Sequence, residues 1–235
     1  MLIPVSVEKP PGPGPFPAIV MLHDCSGLGP ASSGAPRRWA RTLVERGYVV
    51  VMPDSFSSRG YPSGVCVEGA PRGKVDVSPR RRAEDAREAW QYARTLSFVD
   101  RDRIGVMGGS HGGTTTLLAL TDPAFRAAVA LYPRCSAAGK DYRPYGPLLI
   151  LAGELDDWTP AEECRQLARQ AGGRVELKVY PGAHHSFDSA SPVRFVASRI
   201  NPASPSGRGA TTGGNPEAWS DSIREVTAFF ARYLK

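Results

Sequence analysis

Short apolar runs alternate along this chain with stretches of helical periodicity. The runs are rich in Leu and β-branched residues and are apolar at both alternating positions, which is typical of strands buried on both faces of a sheet. They lie at residues 18–23, 48–53, 103–107, 126–131, 147–152 and 174–180. This alternation predicts an α/β fold with a mostly parallel, twisted sheet that carries helices on both faces.

The length of the chain fits a single domain that spans residues 1–235. An additional edge strand is expected at about 2–8. Helices are predicted at residues 36–46, 80–96, 111–121, 160–170 and 216–234. Two long stretches, 55–79 and 189–215, are rich in Gly, Ser and Pro and lack periodicity, so we expect irregular loops there.

Composition and charge exclude several classes of protein. No apolar run approaches the roughly 18 residues of a membrane-spanning helix. The chain carries 29 Lys and Arg against 23 Asp and Glu, a net charge of +6. These basic residues are scattered, with a single run of three at 80–82 and no zinc-finger or RNA-binding motif among them. We therefore expect neither nucleic acid nor a membrane as partner.

The cysteine pattern bears on metals and on cellular location. The four cysteines are widely spaced, at Cys25, Cys66, Cys135 and Cys164. There is no CxxC pair and no cluster of His and Cys ligands, so neither a metal nor a cofactor is expected. The first residues lack the basic start and apolar core of a secretory signal. We therefore expect a cytoplasmic protein with reduced thiols, a single disulfide of unassigned pairing being the alternative.

A G-x-S-x-G pattern follows the apolar run at 103–107. It reads GGSHG at 108–112, and the helix predicted at 111–121 begins within it. A nucleophile at a sharp strand-to-helix turn needs very small residues on either side, because the strand and the helix approach closely there. The pattern and its context predict Ser110 as a nucleophile. The alternative is a Gly-rich turn whose serine has no catalytic role.

Histidines and a carboxylate accompany this serine at the predicted sheet edge. All four histidines lie at or just past the carboxyl ends of predicted strands, at His23, His111, His184 and His185. Ligands bind at that edge of an open parallel sheet. Asp156 and His185 follow Ser110 in the chain order of α/β-hydrolases. Spacing alone does not separate Asp156 from Asp157, nor His185 from His184.

The longer motifs resemble the dienelactone hydrolase family of α/β-hydrolases. The matching stretches are LHDCSGLG, GGSHGG, GELDDWTP and YPGAHHSFD, within residues 18–188. The resemblance implies Asp156 as the acid, from the family's G-x-x-D-x-x-x-P, and His185 as the base, which precedes a small residue and Phe. The chain departs from the family pattern at two positions that bear on whether dienelactone is the substrate. The namesake enzymes carry a Cys nucleophile where this chain has Ser110, and a Glu where it has Asp24.

The predicted reaction is hydrolysis of a small-molecule carboxylic ester or lactone through an acyl-enzyme intermediate. In this scheme His185 takes the proton of Ser110, and Asp156 fixes the imidazole tautomer. The backbone N–H groups of Cys25 and His111 are expected to form the oxyanion hole. Alternatives are a peptidase or thioesterase with the same triad, or a ligand-binding relative without catalysis.

Two further groups of residues are candidates for contact with the substrate. The candidate pocket residues are Asp24, Tyr61, Arg134, Trp158 and Phe187. Loop arginines near the sheet edge are candidates for holding a substrate carboxylate. They are Arg59, Arg72, Arg134 and Arg143.

Overall fold

A seven-stranded sheet forms the centre of the molecule in this computed structural model, which describes residues 2–67, 69–70 and 73–235. Its strands are β1 (Val5–Glu8), β2 (Phe16–Leu22), β3 (Val49–Pro53), β4 (Val99–Gly109), β5 (Ala128–Leu131), β6 (Leu148–Gly153) and β7 (Val175–Tyr180). The strand order is β1-β3-β2-β4-β5-β6-β7, with β1 antiparallel to β3 and the other pairs parallel. Every predicted strand is present.

Five α-helices of the described residues cover this sheet. They are α1 (Ala35–Val44), α2 (Pro79–Ala93), α3 (His111–Ala119), α4 (Ala161–Ala171) and α5 (Pro216–Leu234). Helices α1 and α5 pack on one face, and α2, α3 and α4 on the other. The predicted fold class is therefore confirmed. None of the helices described here combines the length and the apolar character that crossing a membrane would require.

The two faces of each central strand belong to different apolar cores. On β2, Ile19 packs in a cluster with Trp39 of α1 and Phe230 of α5. Its neighbour Val20 packs in a second cluster, with Ala86 of α2. All five side chains are buried, because successive residues of a strand point to opposite faces of the sheet. This double burial explains why the strands appear in the sequence as continuous apolar runs.

The segment 189–215 is not the irregular loop that the sequence predicts. It contains an antiparallel hairpin of β8 (Arg194–Ile200) and β9 (Arg208–Thr212). Most residues of β8 are exposed, so the hairpin has no continuous apolar face that periodicity could reveal. Thr212 forms a bridge with His185, which brings the hairpin against the edge of the main sheet.

The segment 55–79 is mostly irregular, as predicted. A 3-10 turn at Ser57–Arg59 and an isolated bridge from Val67 to Arg199 are its regular features among the described residues. Positions 68, 71 and 72 lie outside the described residues. The bridge to Arg199 places this segment against the hairpin β8–β9.

Two disulfide bonds join the four cysteines, and the prediction of reduced thiols is wrong. Cys25 pairs with Cys66, and Cys135 pairs with Cys164. The sequence held no sign of these pairs, because the cysteines meet only through the packing of distant segments. The cytoplasmic location stays a prediction, and the disulfides weigh against it, since reducing compartments keep thiols reduced.

Removal of the second disulfide tests its contribution to stability. The double variant Cys135→Ala/Cys164→Ala should lose about 3 kcal/mol of unfolding free energy, because the bond limits the freedom of the unfolded chain. The two cysteines are separated by 29 positions in the sequence. Urea denaturation of the variant and the oxidised wild type measures the difference. Coincident unfolding curves would show that the bond does not form.

Candidate active site

Ser110 lies at the turn between β4 and α3. Its backbone angles are φ 54° and ψ −119°, a strained conformation for a residue with a side chain. A Cβ atom at Gly108 would lie 2.6 Å from the backbone of Gly112, and one at Gly112 would lie 2.1 Å from Leu22 O. The glycines of the G-x-S-x-G pattern are therefore needed where β4, α3 and β2 approach one another.

A continuous chain of hydrogen bonds runs from this serine to a carboxylate. Ser110 Oγ lies 2.9 Å from His185 Nε2, and His185 Nδ1 lies 2.8 Å from Asp156 Oδ2. All three residues are buried, and Ser110 keeps 8% of its surface exposed. Because the carboxylate accepts at Nδ1, that nitrogen carries the proton and Nε2 is free to accept from the serine hydroxyl.

The Asp156 carboxylate is held by the turn that follows β6. Its Oδ1 accepts from the N–H groups of Trp158 and Thr159, at 2.9 and 2.8 Å. Its Oδ2 also accepts from Thr159 Oγ1 at 2.9 Å. Thr159 Oγ1 in turn lies 3.1 Å from His185 Nδ1. These bonds fix the direction from which the carboxylate meets the imidazole.

The two alternatives for acid and base lie outside this chain of hydrogen bonds. The Asp157 carboxylate accepts from Thr211 N and Thr211 Oγ1, each at 2.8 Å, and so binds the hairpin. The His184 ring lies with Nδ1 at 3.0 Å from Leu155 O. Asp157 and His184 thus have hydrogen-bond partners different from those of their neighbours Asp156 and His185, which spacing in the sequence could not reveal.

The two predicted oxyanion-hole residues lie beside Ser110 in one cavity. Cys25 and His111 both line it. His111 is the first residue of α3, where N–H groups have no partner within the helix. The Cys25 segment is fixed by the disulfide to Cys66 and by a 2.8 Å bond from Val65 N to Cys25 O. Both backbone N–H groups are thus presented on rigid segments.

The cavity at Ser110 has a volume of about 380 Å³. Much of its wall is apolar, formed by Val65, Pro79, Trp158, Ile200 and Pro202. Arg134 adds a guanidinium, whose Nη2 lies 3.4 Å from Trp158 O. Ile200 and Pro202 come from the hairpin segment, so sequence periodicity gave no reason to place them here.

Two of the predicted pocket residues lie elsewhere for packing reasons. Phe187 is fully buried, with its ring against those of Tyr132 and Tyr180, because it belongs to the apolar core beneath the site. Asp24 does not line the cavity at Ser110. Its carboxylate accepts from Ser33 Oγ and from the N–H and hydroxyl of Ser26, and thereby shapes the loop after β2.

Tyr61 and two of the four candidate arginines are also bound elsewhere. The Tyr61 hydroxyl lies within hydrogen-bonding distance of two backbone carbonyls of its own loop, those of Gly73 and Val75. Arg59 forms a buried bidentate ion pair with Asp85. Arg143 donates to the neighbouring backbone carbonyl, and Arg72 lies outside the described residues. Of the predicted substrate contacts, Arg134 and Trp158 therefore line the cavity.

Sequence reasoning missed a buried polar cluster that supports the imidazole. The Tyr132 ring packs 4.8 Å from the His185 ring, and the Tyr132 hydroxyl donates to Asp188 Oδ1 at 2.7 Å. Trp39 Nε1 donates to Asp188 Oδ2 at 2.8 Å. Burial raises the pKa values of Asp188 and Tyr132. In the sequence, the final residue of the YPGAHHSFD motif, Asp188, could have indicated this cluster.

The strand-to-helix turn at Ser110 has the form that α/β-hydrolases give to their nucleophile turn, and Ser110, Asp156 and His185 follow one another in the chain order of that class. The fold and the site thus define an α/β-hydrolase. Residues 3–234 match the model of the dienelactone hydrolase family, and the chain belongs to that family. It is accordingly a carboxylic-ester hydrolase.

Known proteins of this class resemble the chain over nearly its full length. A carboxymethylenebutenolidase from Rhodococcus opacus is 26% identical, with 99% of this chain and 92% of the relative covered. A solved Klebsiella pneumoniae structure, assigned as a dienelactone hydrolase, has a TM-score of 0.74 at 21% identity and covers 98% and 93%. Thermogutta terrifontis esterase 2 phosphorylated by paraoxon has a TM-score of 0.66 at 21% identity, covering 97% and 88%.

Proposed function

We propose that the chain is a serine hydrolase that cleaves small-molecule esters or lactones through an acyl-enzyme on Ser110. The observation that carries this proposal is the chain of hydrogen bonds from Ser110 through His185 to Asp156, at 2.9 and 2.8 Å. His185 Nε2 accepts the hydroxyl proton as Oγ attacks the ester carbonyl carbon, and then gives that proton to the leaving alkoxide.

Hydrolysis of the acyl-enzyme repeats these steps with water as the nucleophile. His185 takes a proton from the water as the water oxygen attacks the acyl carbon, and it returns that proton to Ser110 Oγ when the tetrahedral intermediate expels this oxygen and releases the carboxylic acid. Each tetrahedral intermediate carries a negative oxygen, which we assign to the N–H groups of Cys25 and His111. Asp156 stabilises the imidazolium that forms in both halves of the reaction.

Covalent labelling tests the nucleophile. Because the T. terrifontis esterase is phosphorylated by paraoxon, the same probe suits this chain. We expect paraoxon to inactivate the enzyme and to leave a diethylphosphoryl group on Ser110, found by peptide mapping. The control variant Ser189→Ala, which lies outside the chain of hydrogen bonds, should label like the wild type. Inactivation without modification of Ser110 would refute the assignment.

A matched set of butyryl substrates separates the candidate hydrolase activities. A p-nitrophenyl ester, a thioester and an anilide differ mainly in the leaving group, and pocket shape selects among such groups. We expect the highest kcat/KM with the ester. A preference for the thioester or the anilide would assign a thioesterase or a peptidase instead. Labelling of Ser110 without turnover of all three would favour a ligand-binding relative.

Arg134 gives the cavity a preference for acyl groups that carry a carboxylate. The cavity volume of about 380 Å³ suits a small ligand, and a guanidinium in an apolar wall attracts an anion strongly. The variant Arg134→Met should raise KM for p-nitrophenyl hemisuccinate about tenfold, because a charge-assisted hydrogen bond contributes about 1.5–3 kcal/mol.

The neutral ester p-nitrophenyl butyrate is the control for this prediction, and its KM should change little. Arg134→Lys keeps the charge without the fork of donors, so its KM for the hemisuccinate should fall between those of the wild type and Arg134→Met. Equal changes in KM for both esters would contradict a carboxylate contact with Arg134.

A further inference from the structure

A buried arginine lies behind the two segments that carry the assigned oxyanion hole. Arg82 on α2 is fully buried. Its Nη2 donates to His23 O at 2.7 Å, and its Nη1 lies 2.6 Å from Nδ1 of His111. His23 stands two residues before Cys25, and His111 is the other assigned donor. One guanidinium therefore joins both segments.

This guanidinium forms no hydrogen bond to a carboxylate within the described part of the chain. The carboxylate of Asp85, three residues after Arg82 on α2, is instead bound by Arg59 at 2.5 and 2.6 Å. Asp85, Asp24 and Asp54, in that order, favour the Arg82 charge through space, and Arg59 opposes it. Burial lowers the pKa of Arg82 to about 9, so the group is still protonated at neutral pH.

Contacts with neutral groups hold the buried charge in place. The Arg82 guanidinium lies 4.9 Å from the ring centre of Phe56, a cation–π contact. The His23 ring donates from Nδ1 to Asp24 O, and its Nε2 accepts from Ser55 N. Burial lowers the pKa of His23 well below its ordinary value. The groups that the Arg82 guanidinium contacts directly are therefore uncharged, and the carboxylates that favour its charge act through space.

Arg82 also fixes the state of His111. The Nη1 group of Arg82 donates to Nδ1 of His111, so the proton of the neutral His111 imidazole lies on its Nε2. Burial, together with the Arg82 charge, holds the pKa of His111 well below its ordinary value. His111 thus remains neutral in one tautomer beside the cavity. A neutral, fixed ring keeps the first turn of α3, and with it the His111 N–H, in one position.

We propose that Arg82 is the positioning residue of the oxyanion hole, holding the Cys25 and His111 segments together and supplying a fixed positive charge that complements the oxyanion. The proposal rests on the serine hydrolase function proposed above. Arg82 acts through its neighbours and does not touch the substrate. Its effect is larger in the transition state than in the bound substrate, so its loss should lower kcat and leave KM nearly unchanged.

Variants at this position separate hydrogen bonding from charge. Arg82→Met removes both, and Arg82→Lys keeps the charge but loses the fork that reaches two acceptors. Complete labelling with paraoxon counts the competent Ser110 sites, and kcat is expressed per labelled site. We expect kcat to fall about 10²-fold in Arg82→Met, the effect of losing one oxyanion donor, and less in Arg82→Lys.

A boronic acid provides a readout that a structural role alone would not change. Phenylboronic acid forms a tetrahedral anionic adduct with a catalytic serine, whereas butyramide is a planar, uncharged analogue of the ester. We expect the inhibition constant of the boronic acid to rise in parallel with the loss of kcat, and that of butyramide to stay unchanged. Ala89→Gly is the matched control, because it weakens α2 at a buried position whose side chain carries neither a charge nor a hydrogen-bonding group.

Each outcome bears on the proposal. An unchanged kcat per labelled site in Arg82→Met would overturn it, as would an equal loss in Ala89→Gly. If Arg82→Met does not fold, Arg82→Lys decides, with a lower kcat and weaker boronic acid binding as support and wild-type values as refutation. A wild-type enzyme that neither labels at Ser110 nor turns over esters would overturn the proposed function and this inference together. An active wild type with an unaffected Arg82 variant would overturn this inference alone.

Discussion

The variant Ser110→Ala should hydrolyse p-nitrophenyl butyrate about 10⁶-fold more slowly than the wild type, measured as kcat. The reason is that Ser110 Oγ, 2.9 Å from His185 Nε2, is the atom that forms the acyl-enzyme. Without it, His185 and Asp156 have no nucleophile to activate. The remaining rate comes from substrate binding and the oxyanion hole.

Non-additivity provides the control for this prediction. The double variant Ser110→Ala/His185→Ala should be nearly as active as Ser110→Ala, since the two residues act as one unit. Urea denaturation should give similar midpoints for Ser110→Ala and the wild type, because an alanine at position 110 would have the same strained backbone conformation as the serine. Wild-type turnover in folded Ser110→Ala would refute the role of Ser110.

The variant Asp156→Asn should lose about 10⁴-fold in kcat with little change in KM. Asp156 Oδ2 accepts from His185 Nδ1 at 2.8 Å. An amide N–H at that position would donate instead and would move the imidazole proton to Nε2, where it blocks acceptance from Ser110. Steady-state rates with p-nitrophenyl butyrate measure the loss.

Asp157→Asn is the matched control for Asp156→Asn. Asp157 binds Thr211 and has no contact with the imidazole, so its kcat should stay near that of the wild type. The unfolding free energy should fall by about 1 kcal/mol, the usual contribution of a hydrogen bond. A larger loss of kcat in Asp157→Asn than in Asp156→Asn would reverse the assignment of the acid.

The sheet could be predicted from the sequence because its strands are buried on both faces. Val20 and Ile19 are both fully buried, so β2 is apolar at successive positions. The hairpin β8–β9 escaped prediction because most residues of β8 are exposed, so that strand has no apolar alternation. Its contribution to the cavity, through Ile200 and Pro202, depends on tertiary packing that local periodicity does not encode.

The run of three arginines at 80–82 shows why the site could be predicted only in part. On α2, successive residues point in different directions, so Arg80 is exposed while Arg82 is fully buried. The sequence suggests a solvated basic patch at all three positions. The nucleophile could be predicted because its strained turn requires glycines, whereas a buried cation requires no local pattern.

The most direct test of the central claim is mass spectrometry of the enzyme quenched in acid during turnover of p-nitrophenyl butyrate. We predict one butyryl group per chain on the peptide that contains Ser110, and none in Ser110→Ala. Turnover by the wild type with the butyryl group on another residue, or with no covalent adduct under conditions where deacylation limits the rate, would contradict the acyl-enzyme mechanism.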